Sequence, residues 1–477
     1  VEWWNYIGYF ILFLNIFLGL MIVFRDQKNT QSTLAWLMIL LFLPFVGLFL
    51  YFIFGRELKN SQWNQSVLNK TKKLSEEQNE LFGKKKLLDK NAHMEKYSHI
   101  IGMHLRNMVS PLTQDNSLQF LTNGNEKMEM LSYDITFAEH SIYVQYFSIE
   151  KDQTGKQFLE LLARKASEGV KVYLIIDGLG SKDLKEKDLK PLKHAGGEVE
   201  VFFPFRTFFK KAALNHRNHR KTVVIDGKIG YIGGFNIGDK YIKDPKLGYW
   251  RDTHLRLTGS AVFLMADHFI SDWFKSRGNK DHFAEDFSIG DENKNKTALQ
   301  IVPSGPDFAW DQVKNGFIKM IQEAENHIYI QSPYFIPESS IQEALRVALL
   351  SGVDVKIMIP NKPDHMFVYW ATSFFTGELL KEGASLYVYE KGFLHAKTLM
   401  VDSCTASVGT TNMDIRSMSL NFEINAFIYD EKETTALEHI FMKDVENSRE
   451  ITWEDYRNRN SAVKVKEKFS RLLAPLL

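Results

Sequence analysis

His219, Lys221 and Asp226 lie in the stretch HRNHRKTVVIDG as H-x-K, four further residues and D, and His395, Lys397 and Asp402 repeat that spacing in HAKTLMVD. In each copy a small-residue turn follows six residues after the aspartate and closes on asparagine, GGFN at Asn236 and GTTN at Asn412. One H-x-K arises easily by chance. Two copies in register over 18 positions do not.

These residue types suit displacement at a phosphodiester. Such a reaction needs a nucleophile, a group that protonates the departing alcohol, and positive charge against the nonbridging oxygens. His219 and His395 can fill the first two roles, with Lys221, Lys397, Asn236 and Asn412 as phosphate-binding donors. The chemistry calls for no metal or other cofactor, and the chain carries no H-E-x-x-H, cysteine cluster or carboxylate cluster with ligand spacing. Asp226 and Asp402 complete the catalytic motifs, although their place at a strand end favours anchoring the following turn over touching substrate. His216 falls outside the repeated pattern and is expected at the surface or in a supporting position. Cys404 has no neighbouring base in the sequence and is expected to pack.

The elements that position these residues are duplicated as well. AEHSIYVQYFSI from Ala138 matches AENHIYIQSPYFI from Ala324, and EGVKVYLIID from Glu168 matches SGVDVKIMIP from Ser351. Within the first unit the pattern predicts a strand over 142–147, a helix over about 155–167 and a strand over 171–176. A further strand in AGGEVEVF, or EGASLYVY in the second unit, then leads toward the motif. Alternating strands and helices imply two α/β/α lobes on a largely parallel, buried sheet. TVVID and TLMVD read as strands, with the histidine and lysine of H-x-K on one face. The two histidines should meet where the lobes join, near a pseudo-twofold axis.

The 477 residues, 44% hydrophobic, are ample for two such lobes and a further segment. A single cysteine excludes an internal disulfide framework. A net charge of +1 argues against a nucleic-acid partner. The further segment is apolar: 19 residues from Tyr6 to Phe24, interrupted only by Asn15, then 21 uncharged residues from Leu34 to Phe54. Each can cross a hydrocarbon core of about 30 Å. Trp3, Trp4, Trp36 and Tyr51 near the span ends fit interfacial belts. The Val-Glu-Trp-Trp opening lacks a basic start, so an anchor is expected rather than a cleaved signal. Arg25, Asp26 and Lys28 lie between the spans, whereas Arg56, Lys59, Lys70, Lys72 and Lys73 follow them, which places the bulk of the chain on the cytoplasmic face.

The organisation expected is therefore a two-span membrane anchor over 1–56, a polar linker over 57–115, a first lobe over 116–285 and a second lobe over 286–477. Between Val201 and Ile225 stand six Lys or Arg, five Phe and no acidic residue, a composition suited to anionic lipid headgroups or to a buried strand and its solvated loop. The carboxyl-terminal segment SAVKVKEKFSRLLAPLL is basic and partly amphipathic, able to dip into a bilayer through Phe469, Leu472 and Leu473 or to dock on the lobe.

The paired H-x-K-x4-D motifs, each with its G-x-x-N, resemble the phospholipase D superfamily, and LAWLMILLFLPFVGLFLYFIFGR, YWRDTHLRLTG, VPSGPD, IYIQSPYFIP and VGTTNMDIRSMSLNFEINAF resemble the bacterial cardiolipin synthases over nearly the whole chain. The resemblance implies two phospholipase D-like lobes behind a transmembrane helical hairpin. It also implies carboxylates that orient the histidines, Glu423 in NFEIN and Asp252 in WRDTH, the latter the candidate in the first half. His365 would line the pocket or cap a helix. Gly234 and Thr410 depart from the pattern, since many members carry serine after that glycine.

The activity implied is transfer of a phosphatidyl group between two phosphatidylglycerol molecules, giving cardiolipin and glycerol, with His219 as nucleophile and His395 as acid and then base. A phospholipase D that hydrolyses or alcohol-exchanges phospholipids is the alternative, and a binding protein with a dead site is a third. The partners implied are phosphatidylglycerol, cardiolipin and the lipid bilayer, with the oligomeric state left open.

Overall fold

The computed structural model describes residues 2–25, 30–54, 69–83, 95–107, 109–204, 216–277, 296–472 and 474. Asp26, Lys28, Arg56, Lys59, Leu473 and the 205–215 part of the basic and aromatic stretch lie outside these residues, as do the side chains of Trp4, Arg25 and Lys70.

In the first half, strands Ser141–Tyr146, Lys171–Asp177 and Glu198–Phe202 run parallel. The helix Gln153–Ser167 covers them because Phe158, Leu159, Leu162 and Ala166 fall on one face, and the Asp152 side chain caps its start by accepting from Gly155 N at 2.9 Å. Burying each of the three larger side chains stabilises by about 1.5–3 kcal/mol relative to exposure. The second half repeats the arrangement with His327–Gln331, Asp354–Pro360 and Ser385–Tyr389.

The largely parallel sheet expected from the sequence is instead mixed. The motif strands Thr222–Ile225 and Thr398–Val401 run antiparallel to Ser141–Tyr146 and His327–Gln331. Each continues as a hairpin, into Ile229–Gly233 and Thr405–Gly409. The reason is local: Asp226 and Gly227, at φ +52° and +63°, and Asp402 and Ser403, at +53° and +54°, form tight turns of the kind that join antiparallel strands. Strand Leu112–Asn123 pairs with Gly248–Thr258 of its own half and with Thr297–Ser304 of the second. Gly248–Thr258 also pairs with Gly392–Leu394, so the two duplicated lobes share one hydrogen-bonded core.

The 57–115 region contributes more than a tether. Helix Ser98–Arg106 buries Ile100, Ile101 and Leu105 in the second half's core. Gln78, on helix Asn69–Gly83, exchanges hydrogen bonds with the Leu112 backbone at 2.9 and 2.7 Å.

The amino-terminal helix Glu2–Arg25 contains the apolar 19-residue run Tyr6–Phe24. The second apolar stretch, expected as one span, is two helices, Thr30–Phe42 and Pro44–Phe54. Pro44 has no N–H to donate, which breaks the regular helix there. The chain folds back at this break: the Trp36 and Tyr51 rings, from opposite helices, meet edge to face at 5.4 Å, so the two helices form a short hairpin. Asn15, the polar exception in the first run, donates to Pro44 O at 3.1 Å and ties the helices together at the break.

Candidate active site

Neither H-x-K sits on the strand that was expected to carry it. Both lie just ahead of Thr222 and Thr398, where the backbone bonds to the opposite half instead of to its own sheet. His219 N donates to Phe422 O at 2.9 Å, and His395 N donates to Arg251 O at 2.6 Å. Each histidine is thus held at the junction by the residue that precedes a carboxylate.

Those carboxylates complete the pairing crosswise. His219 Nδ1 lies 2.9 and 3.0 Å from the two carboxylate oxygens of Glu423, and His395 Nδ1 lies 2.5 Å from Asp252 Oδ2. Glu423 and Asp252 are fully buried. A buried carboxylate is satisfied by a ring N–H, which puts the proton on Nδ1 and leaves the Nε2 lone pair for chemistry.

The lysines join the same cluster. Lys221 Nζ donates to His219 O at 2.7 Å, and Lys397 Nζ donates to His395 O and lies 2.9 Å from His395 Nδ1. Burial lowers the Lys221 ammonium to about 7 and Lys397 to about 8, with each lysine also feeling both Glu423 and Asp252. Burial, then Lys397, holds His395 down to about 4; burial likewise pulls His219 below its ordinary value against the upward pull of Glu423. Burial would raise Asp252, but Lys397 and His395 outweigh it and keep the carboxylate below the usual range. Asn236 and Asn412 are buried beside the site: Asn236 Oδ1 accepts from Ser148 N at 3.1 Å, its amide nitrogen donates to the Tyr241 hydroxyl at 3.2 Å, and Asn412 Oδ1 has no partner. Among the described residues no group of three or more His, Cys, Asp or Glu is placed to hold a metal ion.

Asp226 and Asp402, counted with the catalytic motifs from sequence, do not join the cluster. Asp226 accepts from the backbone N–H groups of Glu139, His140 and Ser141 at 2.8 Å each, and Asp402 from those of Glu325, Asn326 and His327 at 2.7–2.8 Å. They fasten each hairpin turn to the start of the first parallel strand, and Asp-Gly at 226–227 was the readable signal for that turn. His216 is buried rather than at the surface, with Nδ1 3.0 Å from Leu420 O. His365 is the residue before helix Met366–Lys381 and makes no side-chain cap bond. Cys404 is buried and accepts from Lys96 Nζ at 3.0 Å.

The departures at Gly234 and Thr410 have a geometric basis. A Cβ on Gly234 would stand 2.0 Å from Asp252 Oδ1, so the carboxylate occupies the space a serine would need. The Thr410 hydroxyl accepts from Ile424 N at 2.9 Å and steadies the backbone next to Glu423.

The family described as "Cardiolipin synthase, PLD-like domain" matches residues 131–246 and 317–445, and "Phospholipase_D-nuclease N-terminal" matches 13–56. The "Major cardiolipin synthase ClsA" of Bacillus subtilis (strain 168) is 45% identical over 474 residues, 97% of each chain. The chain belongs to the cardiolipin synthase family. A "Cardiolipin synthase" of Listeria innocua is 44% identical over 99% of each chain. In fold, the chain is similar to the crystal structure of phosphatidylserine synthase of Haemophilus influenzae Rd KW20, with a TM-score of 0.62 and 16% identity, covering 81% of this chain and 100% of that one.

In this cardiolipin synthase family member, sequence reasoning missed two arginines that brace the backbone at Glu423 and Asp252. Arg220 Nε donates to Glu423 O at 3.0 Å, and its Nη1 meets Asp272 Oδ2 at 2.5 Å, where Gln145 also donates at 2.7 Å. Arg251 Nη1 donates to Asp252 O, while its Nε meets the Asp444 carboxylate at 2.9–3.0 Å, where Gln331 donates at 2.8 Å. Gln145 and Gln331 occupy matching positions in the repeat, which was the available signal. At the rim of the site, the Tyr334 hydroxyl donates to the exposed Asp364, and Lys397 senses that carboxylate's charge.

Proposed function

We propose that the protein is a cardiolipin synthase that moves a phosphatidyl group from one phosphatidylglycerol to another and releases glycerol. The observation that carries the reading is the convergence of both His–Lys pairs, each imidazole held by a buried carboxylate from the opposite half. His219 Nε2 attacks phosphorus, the P–O bond to the glycerol headgroup breaks, and His395 gives that glycerol its proton. The second phosphatidylglycerol then attacks the phosphohistidine through a terminal hydroxyl whose proton returns to His395, and His219 is freed.

Lys221, Lys397 and the amide nitrogens of Asn236 and Asn412 hold the nonbridging oxygens. The proton on His395 arrives with the substrate: in the empty site burial and Lys397 keep the ring neutral, and the phosphodiester anion offsets the lysine charges that oppose protonation. This reading takes the two apolar stretches as a multi-pass anchor, with the lobes on the cytoplasmic face because the cations cluster after the second stretch. The partners proposed are phosphatidylglycerol, cardiolipin and the bilayer, and no nucleic acid.

The test is the product made by the purified chain from phosphatidylglycerol alone in detergent. Cardiolipin and glycerol in equal amounts support the proposal. Phosphatidic acid as the main product would make water the acceptor and the protein a hydrolase.

A further inference from the structure

The carboxyl-terminal helix Ser461–Leu472 is docked with its polarity reversed. Its inward stripe is polar: Glu467 and Ser470 are 1% and 0% exposed, and Glu467 is held by Arg459 at 2.9 Å and by the Ser373 hydroxyl at 2.7 Å. Its outward stripe is apolar, with Val465, Phe469 and Leu472 exposed at 67, 57 and 71%. In water the hydrophobic effect favours the opposite orientation, since each outward side chain would stabilise the fold by being buried. An ion pair fixes the helix the other way round.

The helix lies along Met366–Lys381, and together they make one continuous surface. Lys466 Nζ sits 4.9 Å from the centre of the Trp370 ring and the Arg471 guanidinium 5.0 Å from that of Phe374, so cations and apolar groups share the face. At the start of Met366–Lys381, about one turn before Trp370, Met366 and Phe367 are about half exposed. Only His365 separates them from Asp364, the rim carboxylate bonded to Tyr334 beside the candidate site. The apolar and cationic face therefore begins at the mouth of the site.

We propose that this face is a bilayer-docking surface: Val465, Phe469 and Leu472 enter the acyl boundary of an anionic membrane, Lys466, Lys468 and Arg471 meet its headgroups, and the active-site mouth is pressed against the lipid. Two properties of the molecule select this occupant. The cations flanking the apolar stripe complement anionic lipid, and the Glu2–Arg25 helix carries an apolar run long enough to hold the same chain to a bilayer. The proposal rests on the reading of a lipid substrate above and adds how that substrate is met.

The experiment uses the full chain. Cys404 is buried, so a thiol introduced by Phe469→Cys takes an environment-sensitive fluorophore selectively, with Glu160→Cys on the exposed side of the first lobe as control. In phosphatidylglycerol vesicles the label at 469 is expected to shift to the blue and be quenched by doxyl-labelled acyl chains, while the label at 160 is not. Lys466→Glu with Lys468→Glu should lower turnover on those vesicles by about fivefold or more per charge while leaving turnover in mixed micelles unchanged. Equal quenching at 469 and 160 would overturn the proposal. So would protection of 469 in lipid-free detergent together with cross-linking between copies, which would make the face a contact between two chains. Quenching at 469 in a chain that makes no cardiolipin would leave the docking surface standing and remove the transferase reading.

Discussion

His219 and Glu423 are 204 residues apart in the chain and 2.9 Å apart in space. His395 and Asp252, separated by 143 residues, mirror them at 2.5 Å. Neither half holds a complete histidine–carboxylate unit, so the two lobes build the candidate site together.

The crossed pairing predicts crossed phenotypes. Glu423→Gln should behave like a weakened His219→Ala, slowing adduct formation at residue 219 even from a substrate with a good leaving group. Asp252→Asn should behave like a weakened His395→Ala: adduct still forms from that substrate, and turnover of phosphatidylglycerol falls. Losses of about 10²–10⁴-fold are expected, as when the acceptor behind a catalytic imidazole is removed. Rapid-quench measurement of the phosphohistidine checks this, and the reverse grouping of phenotypes would refute the crossed assignment.

Asp226 should matter for stability and little for chemistry. Removing three charge-assisted acceptor bonds in Asp226→Ala should cost about 1–3 kcal/mol of stability. The fraction that remains folded should keep its turnover within a few-fold. Thermal unfolding, with activity normalised to folded protein, separates the two, and wild-type stability with abolished turnover would place Asp226 in the chemistry.

Buried lysines near 7 and 8 predict an alkaline limit. As pH rises through these values the ammonium groups lose their protons and with them their hold on an anionic phosphodiester. Past both, kcat/KM should fall about tenfold per pH unit for each group lost. Lys397→Arg keeps its charge and should remove the upper of the two steps, even with a lower plateau. A profile unchanged in shape by that substitution would take Lys397 out of the alkaline limb.

Gly234→Ala should be costly despite adding one methyl group. The new Cβ would fall 2.0 Å from Asp252 Oδ1 and force the carboxylate off His395. Turnover should drop by about tenfold or more, in line with loss of an orienting acceptor. Turnover equal to that of the parent chain would show that Asp252 can relocate freely.

The sequence by itself determined the repeat, the residue types of the site, the apolar amino-terminal stretches and the family, because all are patterns along one dimension. H-x-K spacing survives in a single chain, as does the continuous apolar run of a strand buried on both faces, such as TVVI. The reversal of chain direction at Asp226–Gly227 was present as a turn signal, yet which strand the hairpin would join was not, since strand pairing depends on distant partners. Only the tertiary structure decided that Glu423 serves His219 and Asp252 serves His395. A hydrogen bond is set by distance in space, and the joining of the lobes through Leu112–Asn123 with Thr297–Ser304 and Gly248–Thr258 with Gly392–Leu394 brings the ends of opposite halves together. It also decided that the carboxyl-terminal helix turns its apolar stripe outward, because the Arg459–Glu467 pair that holds it is a contact of the folded chain.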